Sequence, residues 1–498
     1  MDTTLNVHDD SFPRLSRLDH DVRPIPNSFT ATMVQNKRVT APQHWQDVRH
    51  INLVTPEPML YQCGDMISIT PKNFAEDVQA LIDLMDWNEH ADQPVSLIPG
   101  SGSGSGTITP ESSSTMTTST SSPTSPASLP PIPNLEEYPN LTLRLLLTDY
   151  LDIKSIPRRS FFSTIAHYTN DPMQKERLLE FTSPEYVDEF WDYTTRPRRS
   201  ILEVLDEFHT VRIPWDHVPS IFPVMRGRQF SIASGGALRR NSIDGGTKFE
   251  LLVAIVKYQT VIKKIREGVC TRFLSSLQPG STLKVQLQRG SLGPTSQQQL
   301  AAPCVLIGPG TGIAPLRSLL WQKAALAAAY DKQQHNPSGG AIGPSILIFG
   351  NRSAKADFFF QDEWNDLQHI TRLTVITAFS RDRDSANTKV YVQDQIRKHY
   401  SLLYHILYDL GGCVYVCGSS GNMPKAVREA LIDCFQFGSL VAFEGGEGHK
   451  DEDADADAEE GINGYTRGNG IGKGFSREEA EAYLVDMERV GRYKQETW

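Results

Sequence analysis

LIGPGTGIAPLRSLL (306–320) sets a glycine turn between an apolar run and a helical pattern. Gly308, Gly310 and Gly312 would let the backbone come close to a ligand. The helix start behind them offers unpaired N–H groups and a positive dipole end to an anion, most simply a pyrophosphate. The motif is not G-x-G-x-x-G, because Ala314-Pro315 follows the last glycine. Working outward, PCVLIGPGTG (303–312) is one of four short apolar runs that end in Gly, Ser or Asn. The others are PSILIFGNRS (344–353), LTVITAFSRD (373–382) and GGCVYVCGSS (411–420). Helical stretches such as APLRSLLWQKAALAAAY (314–330) and MPKAVREALIDCF (423–435) alternate with them. Continuous apolar strands alternating with helices predict a parallel sheet covered on both faces, with ligands outside the carboxyl ends of its strands.

Upstream the pattern changes. HINLVTPEPMLYQCGDMISITPKN (50–73) mixes alternating strand-like runs with Pro, Gly and Asp, which predicts antiparallel β; FELLVAIVKY (249–258) and TLKVQLQ (282–288) add strands. Between 135 and 210 the pattern is helical. Asp171-Pro172 and Ser183-Pro184 each place an N-cap residue before a proline, and RRSFFSTIAHY and EYVDEFWDY repeat apolar residues at spacings of three and four. Two stretches read as unstructured insertions: 99–134, rich in Ser, Thr, Gly and Pro, and 444–474, Gly-rich and acidic.

At 498 residues the chain suggests about three domains. Its composition, 39% hydrophobic and 22% charged, is that of a globular protein with ample core. The net charge of −10 is concentrated in DEDADADAEE (451–460), so the remainder is close to neutral. That excludes a broad acidic surface and equally the basic face of a nucleic-acid binder. No apolar stretch is long enough to span a membrane, and MDTTLNVHDDSF lacks the cationic start and apolar core of a signal peptide. The six cysteines (63, 270, 304, 413, 417 and 434) have no C-x-x-C pairing, which points away from a metal site and towards a reducing compartment.

Three further motifs carry chemistry. In AFSRDRDSANTKVYVQDQI (378–396), Ser380, Arg381, Lys389, Tyr391 and Gln393 combine two cations with three hydrogen-bonding groups. Such a set suits a phosphate on a ribose beside an adenine, where an unphosphorylated ribose would instead call for an acid. RGRQFSIAS (226–234) and EGVCTRFLSSL (267–277) are weaker alone; the second again joins a glycine turn to a helix start, with Thr271 as an extra donor.

In this order and spacing, the four motifs resemble the ferredoxin–NADP reductase superfamily in its cytochrome P450 reductase-like branch. RPRRSILEVLDEF (196–208), RQFSIAS and the ending ETW further resemble the diflavin reductases of cytosolic iron–sulfur protein assembly. The resemblance implies a mixed α+β and α/β fold: an antiparallel β-barrel FAD domain with a helical insertion, then a parallel-sheet α/β NADP-binding domain. It places an N-terminal segment at 1–22, the FAD-binding domain at 23–295 with the connecting insertion at 135–210, and the NADP-binding domain at 296–498. By the same resemblance Arg228, Gln229, Phe230 and Ser231 would contact FAD, with Phe230 where many relatives have Tyr. Gly268, Val269, Cys270 and Thr271 would hold its pyrophosphate, and Arg198, with Arg199 a near-equal candidate, would add an arginine. NADPH would fall to Gly310, Thr311, Ser380, Arg381, Lys389, Val390, Tyr391, Val392 and Gln393. Ser231, Cys417 and Glu496 would surround the point of hydride transfer. Trp498 would lie over the FAD isoalloxazine as a gate for the nicotinamide, whereas on residue grounds alone it is a terminal-helix aromatic docked into the core.

The implied function is hydride transfer from NADPH to FAD, then single-electron transfer to FMN or to an anamorsin-like iron–sulfur protein. The implied location is the cytoplasm, with mitochondrial association as an option. Two features depart from the pattern. No flavodoxin-like unit precedes the reductase half, so FMN is expected only if a separate domain supplies it. Ala426 stands where relatives often carry an acid. The alternatives are a stand-alone single-flavin reductase feeding another protein acceptor, and a non-catalytic scaffold.

Overall fold

The computed structural model describes residues 21–98, 107–110, 140–241, 245–332, 342–382, 388–444 and 475–498. Its upstream strands are β1 (Phe29–Arg38), β2 (Val48–Thr55), β3 (Met66–Ile69), β4 (Val95–Ile98), β5 (Thr107–Pro110), β6 (Arg228–Ser231) and β7 (Thr247–Ala254). After them come β8 (Lys257–Gln259), β9 (Ile265–Glu267) and β10 (Thr282–Gln288). Six of these form an antiparallel sheet in the order β6-β3-β10-β1-β2-β7, and a bridge from Ile232 to Leu251 brings its two edges together as a barrel. Period-2 alternation explains the core. Phe29, Ala31 and Met33 of β1 point inward with Ile51, Leu53, Ile67, Ile69, Phe249, Leu251, Leu283 and Val285, while Thr30 stays exposed.

The 140–222 region packs as helices around a core of Leu143, Leu146, Phe162, Leu178, Phe181, Phe190, Val204 and Phe222, to which Val78, Leu81, Ile82 and Met85 of the Ala75–Met85 helix also belong. Asp171 caps the Pro172–Glu180 helix by accepting the Gln174 N–H at 2.9 Å. Ser183 caps only a single 3₁₀ turn, and EYVDEFWDY closes in a wide π turn at Trp191–Thr195 instead of a regular helix. One expectation is corrected. Thr107–Pro110, inside the stretch read as unstructured, forms β5 and pairs with β4. Its β-branched Thr-Ile-Thr run has the strand preference that the surrounding Ser/Gly composition hid. Residues 99–106, 111–134 and 445–474 lie outside the described residues.

Downstream, β11 (Cys304–Pro309), β12 (Ser345–Asn351), β13 (Leu373–Phe379), β14 (Cys413–Gly418) and β15 (Tyr493–Thr497) make a parallel sheet in the order β13-β12-β11-β14-β15. The four apolar runs are its first four strands. Their side chains are buried alternately in two separate cores, one on each face, beneath the Ile313–Lys332, Gln361–Thr371, Val392–Lys398, Met423–Glu444 and Arg477–Arg489 helices. β15 is polar, and of its side chains only Tyr493 is buried. The chain therefore ends on an edge strand, not on a docked helix. Among the described residues no helix is long and apolar enough to cross a membrane.

The barrel and the parallel sheet meet just after β6. A Cβ on Gly235 would lie 1.9 Å from the Ser318 carbonyl, and one on Gly236 would lie 2.2 Å from the Trp321 carbonyl. Two glycines here let the Ile313–Lys332 helix rest directly on the barrel backbone. Arg317 of that helix crosses the seam to Glu250 of β7 at 2.8 Å and pairs on its own side with Glu363 at 2.7 Å, with its side chain almost fully buried.

Candidate cofactor sites

β14 and β15 pair in register, which sets Cys417 beside Glu496. From the barrel, the Ser231 hydroxyl at the end of β6 donates to Glu496 Oε1 at 2.5 Å. Three side chains from distant segments thus converge where the two sheets face each other. Burial raises the Glu496 carboxyl above the ordinary range, against the lowering effect of the Ser231 bond. Cys417 is completely buried; burial first and the Glu496 charge second push its thiol far up, so it stays neutral at physiological pH. Beyond β15, the Trp498 N–H donates to the Gly418 carbonyl at 3.1 Å and the Ser420 N–H donates to the Trp498 carbonyl at 3.0 Å. The main chain of Trp498 is therefore pinned, while the residue as a whole is 51% exposed.

The other end of the β6 segment holds Arg228, which donates to the Arg226 carbonyl and lies 3.4 Å from Asp152. Gln229 is exposed and bonded to Gln288, and Phe230 rests part of its ring on the barrel core. Gly268 begins the Val269–Ser276 helix with no capping side chain, so the N–H groups of its first turn are left for a ligand. Two side chains act differently from expectation. The Thr271 hydroxyl donates to the Gly268 carbonyl at 3.3 Å and accepts the Val256 N–H at 3.0 Å, so it is no spare donor. Cys270 points its thiol towards the Ile69 carbonyl, and burial pushes it up to about 12. Both residues can serve a ligand only through the main chain.

A cleft of about 390 Å³ opens at this helix start, lined in part by Phe74, Ser200, Lys257, Arg266 and Val269. The turn before Ser200 separates the two candidate arginines. Arg199 bonds to the Tyr193 carbonyl and to Glu207, and lies 4.1 Å over the Tyr193 ring. Arg198 is exposed, at φ +54°, with no side-chain partner among the described residues. Of the two, only Arg198 has a guanidinium to offer. The turn itself is held by Arg266, which donates to the Pro197 carbonyl at 3.0 Å and to Glu203 at 2.7 Å.

In the glycine turn after β11 the three glycines have different uses. A Cβ on Gly308 would lie 2.7 Å from the Leu316 side chain, and one on Gly312 would lie 2.1 Å from the Cys417 carbonyl. These two serve internal packing rather than ligand approach. Gly310, at φ +59° with nothing within 4 Å of its would-be Cβ, is the one that faces open space, beside half-buried Thr311. At the neighbouring strand ends the Ser380 N–H bonds the Asn351 carbonyl at 3.0 Å and the Arg381 N–H bonds the Arg352 carbonyl at 2.7 Å. Arg381, Lys389 and Tyr391 are exposed and Gln393 is half-buried. Val390 packs against the core and Val392 is buried in it, so both position the segment rather than present a side chain.

Two comparisons bear on this arrangement. Residues 23–273 match the family model described as FAD binding domain, and residues 306–429 that of the oxidoreductase NAD-binding domain. NADPH-dependent diflavin oxidoreductase 1 of Aspergillus fumigatus is 57% identical over 489 residues, covering 98% of this chain and 67% of that protein. The chain belongs to the NADPH-dependent diflavin oxidoreductase family. Its like-named relative in Emericella nidulans is 56% identical (98% and 66% covered), and that in Schizosaccharomyces pombe 33% (96% and 67%). The chain spans about two thirds of the length of these diflavin relatives.

FAD and NADPH are accordingly the cofactors of this diflavin-family chain, which carries the FAD- and NAD-binding modules of an NADPH-dependent oxidoreductase. Its residues fit them. The uncapped helix start, the cleft and the unpaired Arg198 suit an anionic dinucleotide, and the open side of Gly310 suits a second one. Arg352, which follows β12, was not singled out in the sequence. It is half-buried, and burial first and the Arg381 charge second lower its pKa. The available signal was FGNRS ending the second strand as AFSRD ends the third: an arginine just past each carboxyl end.

Proposed function

We propose that this chain passes hydride from NADPH to FAD and then single electrons to FMN or to an anamorsin-like iron–sulfur protein. Its place would be cytosolic iron–sulfur assembly. The observation that carries the reading is the Ser231–Glu496 bond, which joins the barrel to the edge of the parallel sheet beside Cys417. FAD, when bound, supplies the ability to take two electrons as hydride and release them singly.

On this reading Arg228, Gln229 and Phe230 line the flavin end, Arg198 and the first turn after Gly268 hold the FAD phosphates, and Gly310 and Thr311 take the NADPH pyrophosphate. Ser380, Arg381, Lys389, Tyr391 and Gln393 take its 2′-phosphate and adenosine. Glu496, as carboxylate, would offset positive charge on a bound nicotinamide, and Ser231 holds Oε1 in place by donating a hydrogen bond to it. Cys417 stays protonated and packs the floor of the site. Trp498, pinned through its main chain and half-exposed, would offer its ring to the flavin face and would have to move aside for a nicotinamide.

The test is direct. Purified protein should retain FAD and reduce ferricyanide faster with NADPH than with NADH. Arg381→Ala should erode that preference, and deletion of Trp498 should raise NADH use relative to NADPH. A protein that cannot take up FAD would sink the proposal, and unchanged selectivity in both variants would remove the assigned roles of Arg381 and Trp498.

A further inference from the structure

The loop between β1 and β2 belongs to the barrel yet reaches the carboxyl end of the parallel sheet. Its Ala41 N–H bonds the Ala356 carbonyl at 2.9 Å, and His44 Nε2 lies 3.1 Å from Asp357 Oδ2. Asp357 is almost fully buried, and its carboxylate also accepts the N–H groups of Arg352 at 3.3 Å and Ser353 at 2.8 Å. One carboxylate therefore fixes both the Arg352 main chain and the loop opposite it. Arg38 holds the loop from within, donating to the Ala41 and His44 carbonyls at 3.1 and 2.7 Å.

The result is that Trp45, 57% exposed, lies under the Arg352 guanidinium at 4.1 Å from the ring centroid. Arg352 is next to Arg381, to which it is tied through the main chain, and neither guanidinium has an ion pair or side-chain hydrogen bond among the described residues. Two adjacent cations repel, and without support the more mobile one turns away to water. An indole face is a support that attracts the guanidinium and does not neutralise it, as a carboxylate would.

We infer that Trp45 is a specificity-determining positioning residue for the 2′-phosphate of NADPH, acting as the shelf that holds Arg352 beside Arg381 so that both meet the phosphate. The inference rests on the assignment of Arg381 to that phosphate. It differs from simple stacking of adenine on Trp45, because a shelf for Arg352 matters only when the 2′-phosphate is present.

The experiment measures binding of 2′,5′-ADP and of 5′-ADP to the FAD-loaded protein by calorimetry. Wild type should prefer 2′,5′-ADP. Trp45→Ala should weaken 2′,5′-ADP by about fivefold and leave 5′-ADP unchanged, as loss of one exposed cation–π contact implies, while Trp45→Phe should retain most of the affinity. Because Trp45 acts through Arg352, the Trp45→Ala/Arg352→Ala double variant should bind 2′,5′-ADP no more weakly than Arg352→Ala alone. Equal weakening of both ligands, no weakening, or additive losses in the double variant would each overturn the role of Trp45 while leaving the 2′-phosphate assignment intact. A wild type without preference would instead overturn that assignment, and the role of Trp45 with it.

Discussion

Glu496 is half-buried between Ser231 and Cys417, and its carboxyl is raised because burial outweighs the Ser231 bond. A raised folded-state pKa means that the folded chain holds this proton more tightly than the unfolded chain does. The stability it contributes is present below the unfolded value and is lost as pH rises through the folded value. At neutral pH the charged form is the one the proposed hydride step would use, but it opposes folding. Glu496→Gln should therefore melt higher than wild type near pH 7, with the gap closing towards pH 4, and should turn over NADPH more slowly. Thermal melts across that range decide it; a gap that does not change with pH would show that Glu496 is not the titrating group. Thr271 and Cys270 teach the same lesson at the scale of single atoms. Both stand in a recognisable motif, but their side chains face the chain's own interior and only their N–H groups are available. Motif spacing reports the main chain well and the side-chain direction poorly.

At the scale of elements, the glycine turn after β11 separates packing from binding within five residues. Gly312→Ala would drive a Cβ against the Cys417 carbonyl and shift the end of β14; overpacking of this kind costs about 1–3 kcal/mol. Gly310→Ala meets no neighbour and costs only the left-handed backbone strain, about 1–2 kcal/mol, but it fills the open side. Gly310→Ala should thus melt closer to wild type than Gly312→Ala does, yet bind NADP⁺ more weakly; calorimetry and melting curves on the same samples separate the two effects. A Gly310 variant with unaltered NADP⁺ affinity would remove the phosphate role of the turn. The four core strands of the parallel sheet were legible because each is apolar on both faces, a pattern that has few alternatives. β15 was not, because an edge strand needs only one buried side chain and the rest of YKQET is polar. β5 was hidden by the Ser/Thr-rich composition around it.

At the scale of the molecule, barrel and sheet are joined by a buried network. Glu250 accepts from Arg317 at 2.8 Å and His50 at 3.0 Å and pairs with Lys248 at 2.6 Å, while Arg317 also grips Glu363 and lies 4.3 Å over the Phe360 ring. Burial pulls the Glu250 carboxyl upward, but His50, Arg317 and Lys248 together hold it well below the ordinary carboxylate range. Arg317→Ala would leave that buried carboxylate with only His50 and Lys248 and remove the tie to Glu363, at a cost below the roughly 3–5 kcal/mol of a fully unpaired buried charge. It should lower the melting temperature and split one calorimetric transition into two, as the barrel and the sheet lose their coupling, with Arg317→Lys intermediate because it keeps the charge but not the fork. A single unshifted transition for Arg317→Ala would show that the seam is held elsewhere. The proposed hydride site depends on this seam, since Ser231 and Glu496 come from opposite sides of it.

The sequence by itself determined the two-layer plan of barrel and parallel sheet and the cofactor class. The parallel sheet and the ribose-phosphate set follow from local patterns, namely residue periodicity, glycine turns and the residue types a phosphate requires, while the barrel and FAD follow from the family resemblance that the motifs carry. Only the tertiary structure decided which arginine of the 198–199 pair is free, which glycine faces open space, that Arg352 joins Arg381, and that a barrel loop supplies Trp45 beneath them. Each of these depends on which atoms meet across long separations in the chain, and side-chain direction and burial there are set by the neighbours that packing brings, not by the residues alongside in sequence.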